Sequence, residues 1–470
     1  MQLTFPKIFP VTAHTDFVGH GTTFVAIKGT TADGTDFIID AVKKGAQTVV
    51  VQDDAVLAAE TVRFLGEKKI ELVRVKNCRA ALAQLSAQAA DFPAKKLRLF
   101  GVTGTKGKTT TCHLLMHILK TAGRSVGLLS TAGNKIGEHE FPALLTTAQP
   151  DYLHQFLKLC VQQGVTDVAV EVAAQALVLH RVDGLLFDAV VFTNFAREHL
   201  EFFDSMDAYF NAKLRIFDFL KPDGVAFVNG DDQKLLSIQK PVVRFGMTDQ
   251  CAIRATLTKA GFPLQGQIQA EGVTVAIDAQ LVGEYNFYNI SAAVSVALYT
   301  GVLPEYCQKA IATFSGVPGR FEWYQLKNNA ICIIDSAHNP LSFEVLLHTV
   351  RPLTDRLIVV FGAGGLRDAG RRPLMGGIVA AVADYAIITT DNPRTEDAAV
   401  IASQIASGIN VGAKAEVFTE LDRTKAIQKA YALSMPGSFI MLLGKGVEQY
   451  QIIGTQKIPF SERLIIQNLQ

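Results

Sequence analysis

One glycine-rich segment constrains this chain more than any other feature: Gly104-Thr105-Lys106-Gly107-Lys108-Thr109-Thr110. It follows an apolar run over residues 97–102 and opens a periodic segment over residues 111–122, an order that predicts a strand, a turn and a helix. Such a turn lets backbone N–H groups approach a polyphosphate at the positive end of a helix, with a lysine for the phosphate oxygens and a hydroxyl for Mg²⁺. The alternative is an ordinary glycine turn capped by threonine, since Val102 stands where P-loops usually have glycine. We expect nucleotide binding at residues 104–110.

Composition excludes several classes of function. The 470 residues carry a formal net charge of +1, so no global field would hold a nucleic acid or an anionic membrane. No apolar stretch reaches the ~18 residues of a membrane span, and the first residues lack the pattern of a signal peptide. The six cysteines lie far apart without a CxxC pair, which is typical of a reducing compartment. We expect a cytoplasmic monomer with no nucleic-acid or membrane partner.

Short aliphatic segments alternate with helical ones along the chain, which predicts mostly parallel sheets covered on both faces. Turn residues at 91–96 and 315–319 indicate two boundaries. We therefore predict an α/β protein of three domains: residues 1–94, a central domain over 95–315 with a P-loop-type, mostly parallel sheet, and a C-terminal Rossmann-like domain over 316–470.

Polar side chains follow several strands of the predicted central sheet. In open α/β sheets, ligands bind outside the carboxyl ends of the strands. We expect a ligand site to include these residues: Thr146, Thr147, Glu171, Asn194, Glu198 and His199.

A series of ordered segments resembles the Mur ligases, ATP-dependent amide-forming enzymes of peptidoglycan precursor synthesis. The resemblance covers nearly the whole chain. The last three segments are similar to the branch that adds the third amino acid of the peptide. The segments are residues 101–110, 146–150, 171–177, 193–203, 208–217, 284–293, 318–322, 335–340, 361–375, 391–397 and 443–451.

The resemblance implies that ATP phosphorylates a substrate carboxylate and that an amino acid then attacks the acyl phosphate, with ATP and Mg²⁺ required. The implied catalytic residues are Lys108, His199 and Lys213, and the implied Mg²⁺ ligands are Thr109, Glu171, His199 and Lys213. The implied ATP contacts lie in two neighbouring domains, so that domain closure would complete the site. They are Gly104, Thr105, Lys106, Gly107, Lys108, Thr109, Thr110, Asn289, Arg320, Asp335 and His338.

Lys213 carries the least usual of these implied roles, because the family's lysine at this position is carbamylated. The modification turns a cation into an anion that can bind Mg²⁺ and orient the γ-phosphate. Carbamylation needs the neutral amine, so we expect burial or nearby positive charge to lower the lysine pKa. Spacing alone favours a solvated lysine on an amphipathic helix.

The resemblance also implies the substrates: UDP-N-acetylmuramoyl-L-alanyl-D-glutamate, whose sugar nucleotide binds the N-terminal domain, and a diamino acid. The Asp-Asn-Pro-Arg segment at 391–394 is the form associated with meso-diaminopimelate. Arg394 can hold its far carboxylate with two N–H···O bonds, and Asp391 and Glu448 can accept its ammonium. The implied muramoyl-dipeptide contacts are Thr146, Thr147 and Arg181, and the implied amino-acid contacts are Arg367, Asp391, Asn392, Arg394, Gly444 and Glu448.

The chain departs from the family pattern mainly in regions implied to bind the sugar nucleotide. It has His14-Thr15-Asp16 where Asp-Ser-Arg is common, and residues 171–175 read Glu-Val-Ala-Ala-Gln where Glu-Val-Ser-Ser-His is common. Lys106 and Val447 replace a frequent asparagine and histidine. Two alternatives therefore stay open: an amide ligase with another acceptor, of the folylpolyglutamate-synthetase or cell-wall-recycling kind, and a non-catalytic nucleotide-binding regulator.

Overall fold

The computed structural model describes residues 3–29, 32–143, 145–197 and 202–470. Alternating strands and helices dominate these residues. The strands are β1 (Val11–Thr12), β2 (Thr23–Val25), β3 (Thr48–Gln52), β4 (Glu71–Val75), β5 (Arg98–Thr103), β6 (Val126–Leu129), β7 (Asn134–Ile136), β8 (His139–Phe141), β9 (Asp167–Glu171), β10 (Phe187–Phe192), β11 (Leu220–Asn229), β12 (Val243–Gly246), β13 (Ile253–Lys259), β14 (Leu264–Ala270), β15 (Val273–Ala279), β16 (Glu322–Gln325), β17 (Ile331–Asp335), β18 (Leu357–Phe361), β19 (Tyr385–Ile388), β20 (Glu416–Thr419), β21 (Phe439–Leu443), β22 (Tyr450–Ile453) and β23 (Gln456–Pro459).

The helices lie between these strands. They are α1 (Ile38–Lys43), α2 (Ala59–Glu67), α3 (Cys78–Ala89), α4 (Lys108–Thr121), α5 (Pro150–Gln162), α6 (Ala174–Val178), α7 (Met206–Leu214), α8 (Glu284–Tyr299), α9 (Pro304–Thr313), α10 (Pro340–Val350), α11 (Arg371–Val382), α12 (Ala398–Ala406), α13 (Arg423–Leu433) and α14 (Glu462–Gln467). No helix in the described ranges is both long enough and apolar enough to cross a membrane.

Three main sheets organise the chain. The N-terminal sheet has the order β1-β2-β3-β4, and its strands are all parallel. The central sheet has the order β15-β14-β13-β12-β11-β10-β5-β9-β6-β7-β8, and it is parallel from β13 to β6. The third sheet has the order β16-β17-β21-β18-β19-β20, with only β16 antiparallel to its neighbour. This three-domain α/β architecture confirms the predicted fold class.

The chain divides into two compact units. The first comprises residues 1–258, 266–277 and 285–312, and the second comprises residues 259–265, 278–284 and 313–470. The predicted domain boundaries at residues 94 and 315 stay predictions.

Buried aliphatic strands form the core of each unit. Both β9 and β21 are buried along their whole length, as expected for parallel strands covered on two faces. All six cysteines are free and buried, which confirms the interpretation of Cys160 and Cys332 as small core residues. The ends of these buried strands carry the polar residues considered next.

Candidate active site

The glycine-rich loop connects β5 to α4, as the sequence predicts. Gly104 has φ +145° and Gly107 has φ +82°, conformations that side chains rarely adopt. A β-carbon at residue 104 would lie 1.9 Å from Thr193 Oγ1, and one at residue 107 would lie 2.2 Å from Asn289 Oδ1. Both positions therefore require glycine for backbone conformation and for close approach. The helix begins at Lys108, so the loop ends at a positive helix terminus.

A second loop, at residues 193–196 after β10, holds the glycine-rich loop in place. Thr193 Oγ1 donates to the Lys106 carbonyl at 2.6 Å, and the Lys106 N–H donates to Asn194 Oδ1 at 2.8 Å. The Ala196 N–H donates to Thr105 Oγ1 at 3.0 Å. Sequence reasoning placed Asn194 near the site but missed Thr193, although Thr193 is the first residue of the 193–203 segment that resembles the Mur ligases.

Two lysines converge on one carbonyl of the loop. Lys108 Nζ donates to the Gly104 carbonyl at 3.0 Å and to the Thr105 carbonyl at 2.9 Å. Lys213 Nζ, on α7, donates to the Gly104 carbonyl at 2.6 Å and lies 4.7 Å from the Tyr209 ring centroid. Lys213 is only 1% exposed. The interpretation of Lys213 as a solvated surface lysine is therefore wrong, while its carbamylation and pKa stay predictions.

Oxygen ligands suited to a divalent cation gather beside the loop. Thr109 Oγ1 lies 3.1 Å from both carboxylate oxygens of Glu171. The Thr131 N–H and hydroxyl donate to Glu171 Oε2 at 2.9 and 3.0 Å. Mg²⁺ prefers such oxygen ligands together with waters and phosphate oxygens, so the residues fit this ion. Within the described residues, no cluster of three or more His, Cys, Asp or Glu side chains could hold a metal.

One implied metal ligand lies outside the part of the chain that the structure describes. His199, and the neighbouring Glu198, lie outside the described residues. Thr131, by contrast, was missed from the sequence although it follows β6 at the same edge of the sheet as Glu171.

The residues implied to bind the muramoyl-dipeptide lie next to Glu171. Thr147 Oγ1 donates to the Glu171 carbonyl at 2.8 Å, and Arg181 Nη1 donates to the Thr147 carbonyl at 3.1 Å. Burial lowers the pKa of Arg181 from its ordinary value. Thr131 Oγ1 lies 3.1 Å from Thr146 Oγ1. Thr146, Thr147 and Arg181 therefore belong to the same edge of the central sheet as the glycine-rich loop.

Asn289, implied to contact adenine, packs beneath the loop. It is 5% exposed, and its Nδ2 donates to Asn286 Oδ1 at 3.1 Å. Its Oδ1 accepts from the Thr111 hydroxyl at 3.4 Å. Thr110 precedes Thr111 in the first turn of α4. In this structure Asn289 supports Gly107, and its contact with adenine stays a prediction.

In the second unit, four residues form a buried polar cluster. Lys445 Nζ donates to Asn392 Oδ1 at 3.0 Å, to Glu448 Oε2 at 3.1 Å and to Asp391 Oδ1 at 3.3 Å. Asn392 Nδ2 donates to Glu448 Oε2 at 2.8 Å. A β-carbon at Gly444 would lie 2.6 Å from Asp391 Oδ2, which explains the glycine. The sequence predicted all of these residues except Lys445, although Lys445 lies in the 443–451 segment that resembles the Mur ligases.

Arg394 lies next to this cluster. It has φ +54°, and its Nη1 donates to the Gly365 carbonyl at 2.6 Å. The Gly365 N–H donates to the Asn392 carbonyl at 2.9 Å, which ties the 364–365 turn to the cluster. Arg367, two residues further along, is exposed. Every implied amino-acid contact thus lies on or beside the loops at 364–367, 391–394 and 444–448.

The implied ribose and phosphate contacts of the second unit follow β17. The N–H groups of Phe321 and Ala337 each donate to the Asp335 carboxylate at 2.7 Å. Desolvation nevertheless raises the pKa of Asp335, although Arg320 opposes the shift. His338 Nδ1 lies 2.8 Å from the Ser336 carbonyl, and Arg320 and His338 are both exposed. Asp335, Arg320 and His338 are therefore near one another, and their contacts with ATP stay predictions.

The central loop and the sheet around it define an α/β nucleotide-binding enzyme. Three family models match the chain: "Mur ligase family, catalytic domain" over residues 10–90, "Mur ligase middle domain" over 102–297, and "Mur ligase, glutamate ligase domain" over 319–446. The chain belongs to the Mur ligase family and is an ATP-dependent amide ligase.

Similar proteins cover nearly the full length. The UDP-N-acetylmuramoyl-L-alanyl-D-glutamate--2,6-diaminopimelate ligase of Geobacillus thermodenitrificans is 35% identical over 98% of this chain and 94% of its own. The Aquifex aeolicus ligase of the same name is 35% identical over 100% and 95%. A solved structure bearing this ligase name aligns with a TM-score of 0.69 at 24% identity, covering 98% of this chain and 94% of that one. The Thermotoga maritima MurF ligase in complex with ADP aligns with a TM-score of 0.65 at 20% identity, covering 94% and 95%.

Proposed function

We propose that this enzyme adds meso-diaminopimelate to UDP-N-acetylmuramoyl-L-alanyl-D-glutamate in peptidoglycan precursor synthesis. The relatives that share 35% identity over nearly the whole chain carry this activity in their names. The observation that carries the choice of amino acid is the grouping of Asp391, Asn392, Arg394 and Glu448 in one small region of the second unit. These side chains offer carboxylates for an ammonium and a guanidinium for a carboxylate.

The reaction proceeds by two displacements. A carboxylate oxygen of the muramoyl-dipeptide attacks the γ-phosphorus of ATP, ADP leaves, and an acyl phosphate forms. The amine of the diamino acid then attacks the acyl carbon and loses a proton, and inorganic phosphate leaves with its bonding electrons. Mg²⁺, when bound, would neutralise phosphate charge beside Thr109 and Glu171.

The residues of the chain bind and orient the reacting groups. The phosphates would bind at the glycine-rich loop beside the N-terminus of α4, and Lys108 would exchange its two carbonyl acceptors for phosphate oxygens. Lys213, carried by α7 to the same carbonyl, is positioned to act on the γ-phosphate side of the loop, and its proposed carbamate would supply an anion for the metal. Thr147 and Arg181 would hold the acceptor at the sheet edge beside Glu171.

The test is turnover with a panel of amino acids and acceptors. Phosphate release is measured with UDP-muramoyl-dipeptide or a folate acceptor, each with meso-diaminopimelate, L-lysine or L-glutamate. We expect a kcat/KM for diaminopimelate roughly 10⁴-fold above that for lysine, because lysine offers no second carboxylate to the Arg394 guanidinium. Comparable use of lysine would refute the proposed amino acid, and turnover only with the folate acceptor would refute the proposed acceptor.

A variant pair tests Arg394 directly. Arg394→Ala should collapse the preference for diaminopimelate over lysine. Arg356→Ala is the control, because Arg356 Nη1 donates to the Leu433 carbonyl away from this cluster. An Arg394→Ala enzyme that discriminates as well as the control would contradict the assignment of Arg394 to the far carboxylate.

A further inference from the structure

Lys445 lies at the centre of the amino-acid cluster. Its side chain is 0% exposed, and its Nζ donates to one oxygen on each of Asp391, Asn392 and Glu448, at 3.3, 3.0 and 3.1 Å. The buried ammonium thus contacts three residues implied to bind the amino acid. A buried charge with this complement of partners is held in a single geometry.

Lys445 fixes the orientation of the Asn392 carboxamide. Asn392 Oδ1 accepts from Lys445 Nζ at 3.0 Å and from the Ile452 N–H at 2.9 Å. Two donors on this atom require that it be oxygen, so Nδ2 must face Glu448, to which it donates at 2.8 Å. Glu448 Oε2 therefore has two donors from the protein. The rest of this carboxylate, whose side chain is 34% exposed, is left available to a ligand.

Lys445 also sets the charge of the cluster. Its single positive charge lies between two carboxylates, those of Asp391 and Glu448, so the three groups together carry one excess negative charge. Outside these three groups, Arg371 interacts electrostatically with both Asp368 and Asp391, and Arg394 lies next to the cluster. Burial lowers the pKa of Arg371. Without Lys445 the two carboxylates would carry two negative charges, which would favour the more cationic of two amino-acid substrates.

We infer that Lys445 is a positioning residue that sets amino-acid specificity: it neutralises one carboxylate so that a diamino acid of zero net charge is preferred over one of net charge +1. Meso-diaminopimelate has two ammonium and two carboxylate groups, whereas lysine has two ammonium groups and one carboxylate. The inference rests on the proposed function. It adds to the role of Arg394 a second determinant, which acts through charge instead of through direct contact.

The first test replaces Lys445 by methionine, which keeps the aliphatic chain. The cluster then carries two negative charges without the lysine between them. Binding of lysine, the more cationic substrate, should therefore strengthen relative to binding of diaminopimelate. We expect the kcat/KM ratio of diaminopimelate to lysine to fall roughly tenfold or more, because charges in a buried cluster are weakly screened. The change should appear in the KM for the amino acid, with the KM for ATP altered less than about twofold.

The second test makes the cluster less negative. Glu448→Gln removes one carboxylate at a half-buried position and keeps its shape, so the ratio of diaminopimelate to lysine should rise. The double variant Lys445→Met/Glu448→Gln should return the ratio towards that of the unmodified enzyme. The control is Lys414→Met, which breaks a half-exposed ion pair with Asp384 in the same unit and should leave the ratio unchanged.

Opposite shifts in the two single variants would support the charge role. A purely structural role for Lys445 would lower turnover of both amino acids equally, and that result overturns the inference. If Lys445→Met fails to fold, Glu448→Gln decides alone: a ratio that falls or stays constant overturns the inference. An unmodified enzyme that ligates no diamino acid contradicts the proposed function instead, so the two failures are distinguishable.

Discussion

Replacing Gly107 by alanine should damage the nucleotide loop far more than the same change at Gly123. Both glycines flank α4, and their φ angles are nearly equal, +82° and +80°. A β-carbon at residue 107 would lie 2.2 Å from Asn289 Oδ1, whereas nothing lies within 4 Å of one at residue 123. The pair therefore separates the cost of a left-handed backbone from the cost of a close contact.

The expected magnitudes follow from these two costs. A left-handed backbone costs an L-residue about 1–2 kcal/mol at either position. At residue 107 the buried Asn289 carboxamide must also move away from Asn286 and Thr111, its hydrogen-bond partners. Disturbing such buried bonds costs about 1–3 kcal/mol more. We expect destabilisation of about 2–5 kcal/mol for Gly107→Ala, against about 1–2 kcal/mol for Gly123→Ala.

The assay combines unfolding with kinetics. Urea unfolding of the two variants measures the difference in their free energies of unfolding. The KM for ATP reports how well the glycine-rich loop still binds ATP. If Gly107→Ala destabilises the ATP-binding conformation of the loop by about 1.4 kcal/mol, the affinity for ATP drops tenfold. The KM for ATP should stay near that of the unmodified enzyme in Gly123→Ala. Equal effects of the two variants on both measurements would refute the argument from the Asn289 contact.

Three further predictions concern buried ionisable groups. Lys213→Ala should lose turnover while ATP still binds, and added formate should partly restore turnover; full activity in the unrescued variant contradicts the metal role. Burial lowers the pKa of His113 from 6.5 to about 3, so the unfolded chain takes up the proton first and stability falls as the pH drops below 6.5. His113→Gln should remove up to about 1.4 kcal/mol of this loss per pH unit, measured by urea unfolding between pH 6 and 4; an unchanged pH dependence refutes it. Arg423→Met should lower the free energy of unfolding by about 3–5 kcal/mol, because it leaves the 3%-exposed Glu462 unpaired. The double variant Arg423→Met/Glu462→Leu should recover most of this stability in the same urea assay.

Long apolar runs made much of the fold predictable. The aliphatic runs at residues 125–130 and 356–361 predict strands. They form β6 and β18, whose ends differ from those of the runs by at most one residue. The strands β13, β14 and β15 were missed, although the burial of β13 alternates at its start as a half-exposed strand requires. The strands β7 and β8 have three residues each, too few for a periodic signal to identify them.

The site was predictable where one local segment carries the chemistry, and was not where distant segments meet. The glycines of the phosphate loop follow from a motif, because backbone conformation alone demands them. Thr193 supports the loop from a position 87 residues away from Lys106, and Lys445 meets Asp391 across 54 residues. No local sequence pattern predicts either contact, since only the folded sheets bring these strand ends together.

The shared carbonyl of Gly104 gives a physical reason to consider modification of Lys213. Two ammonium groups that donate to one oxygen, Lys108 at 3.0 Å and Lys213 at 2.6 Å, repel each other in a site where Lys213 is only 1% exposed. Adding a carbamate would replace this repulsion by attraction, because an anion on Lys213 would face the cation on Lys108. It would also supply an anion for the Mg²⁺ that Thr109 and Glu171 are proposed to bind. The same carbonyl therefore links the lysine proposed to bind phosphate to the lysine proposed to bind metal.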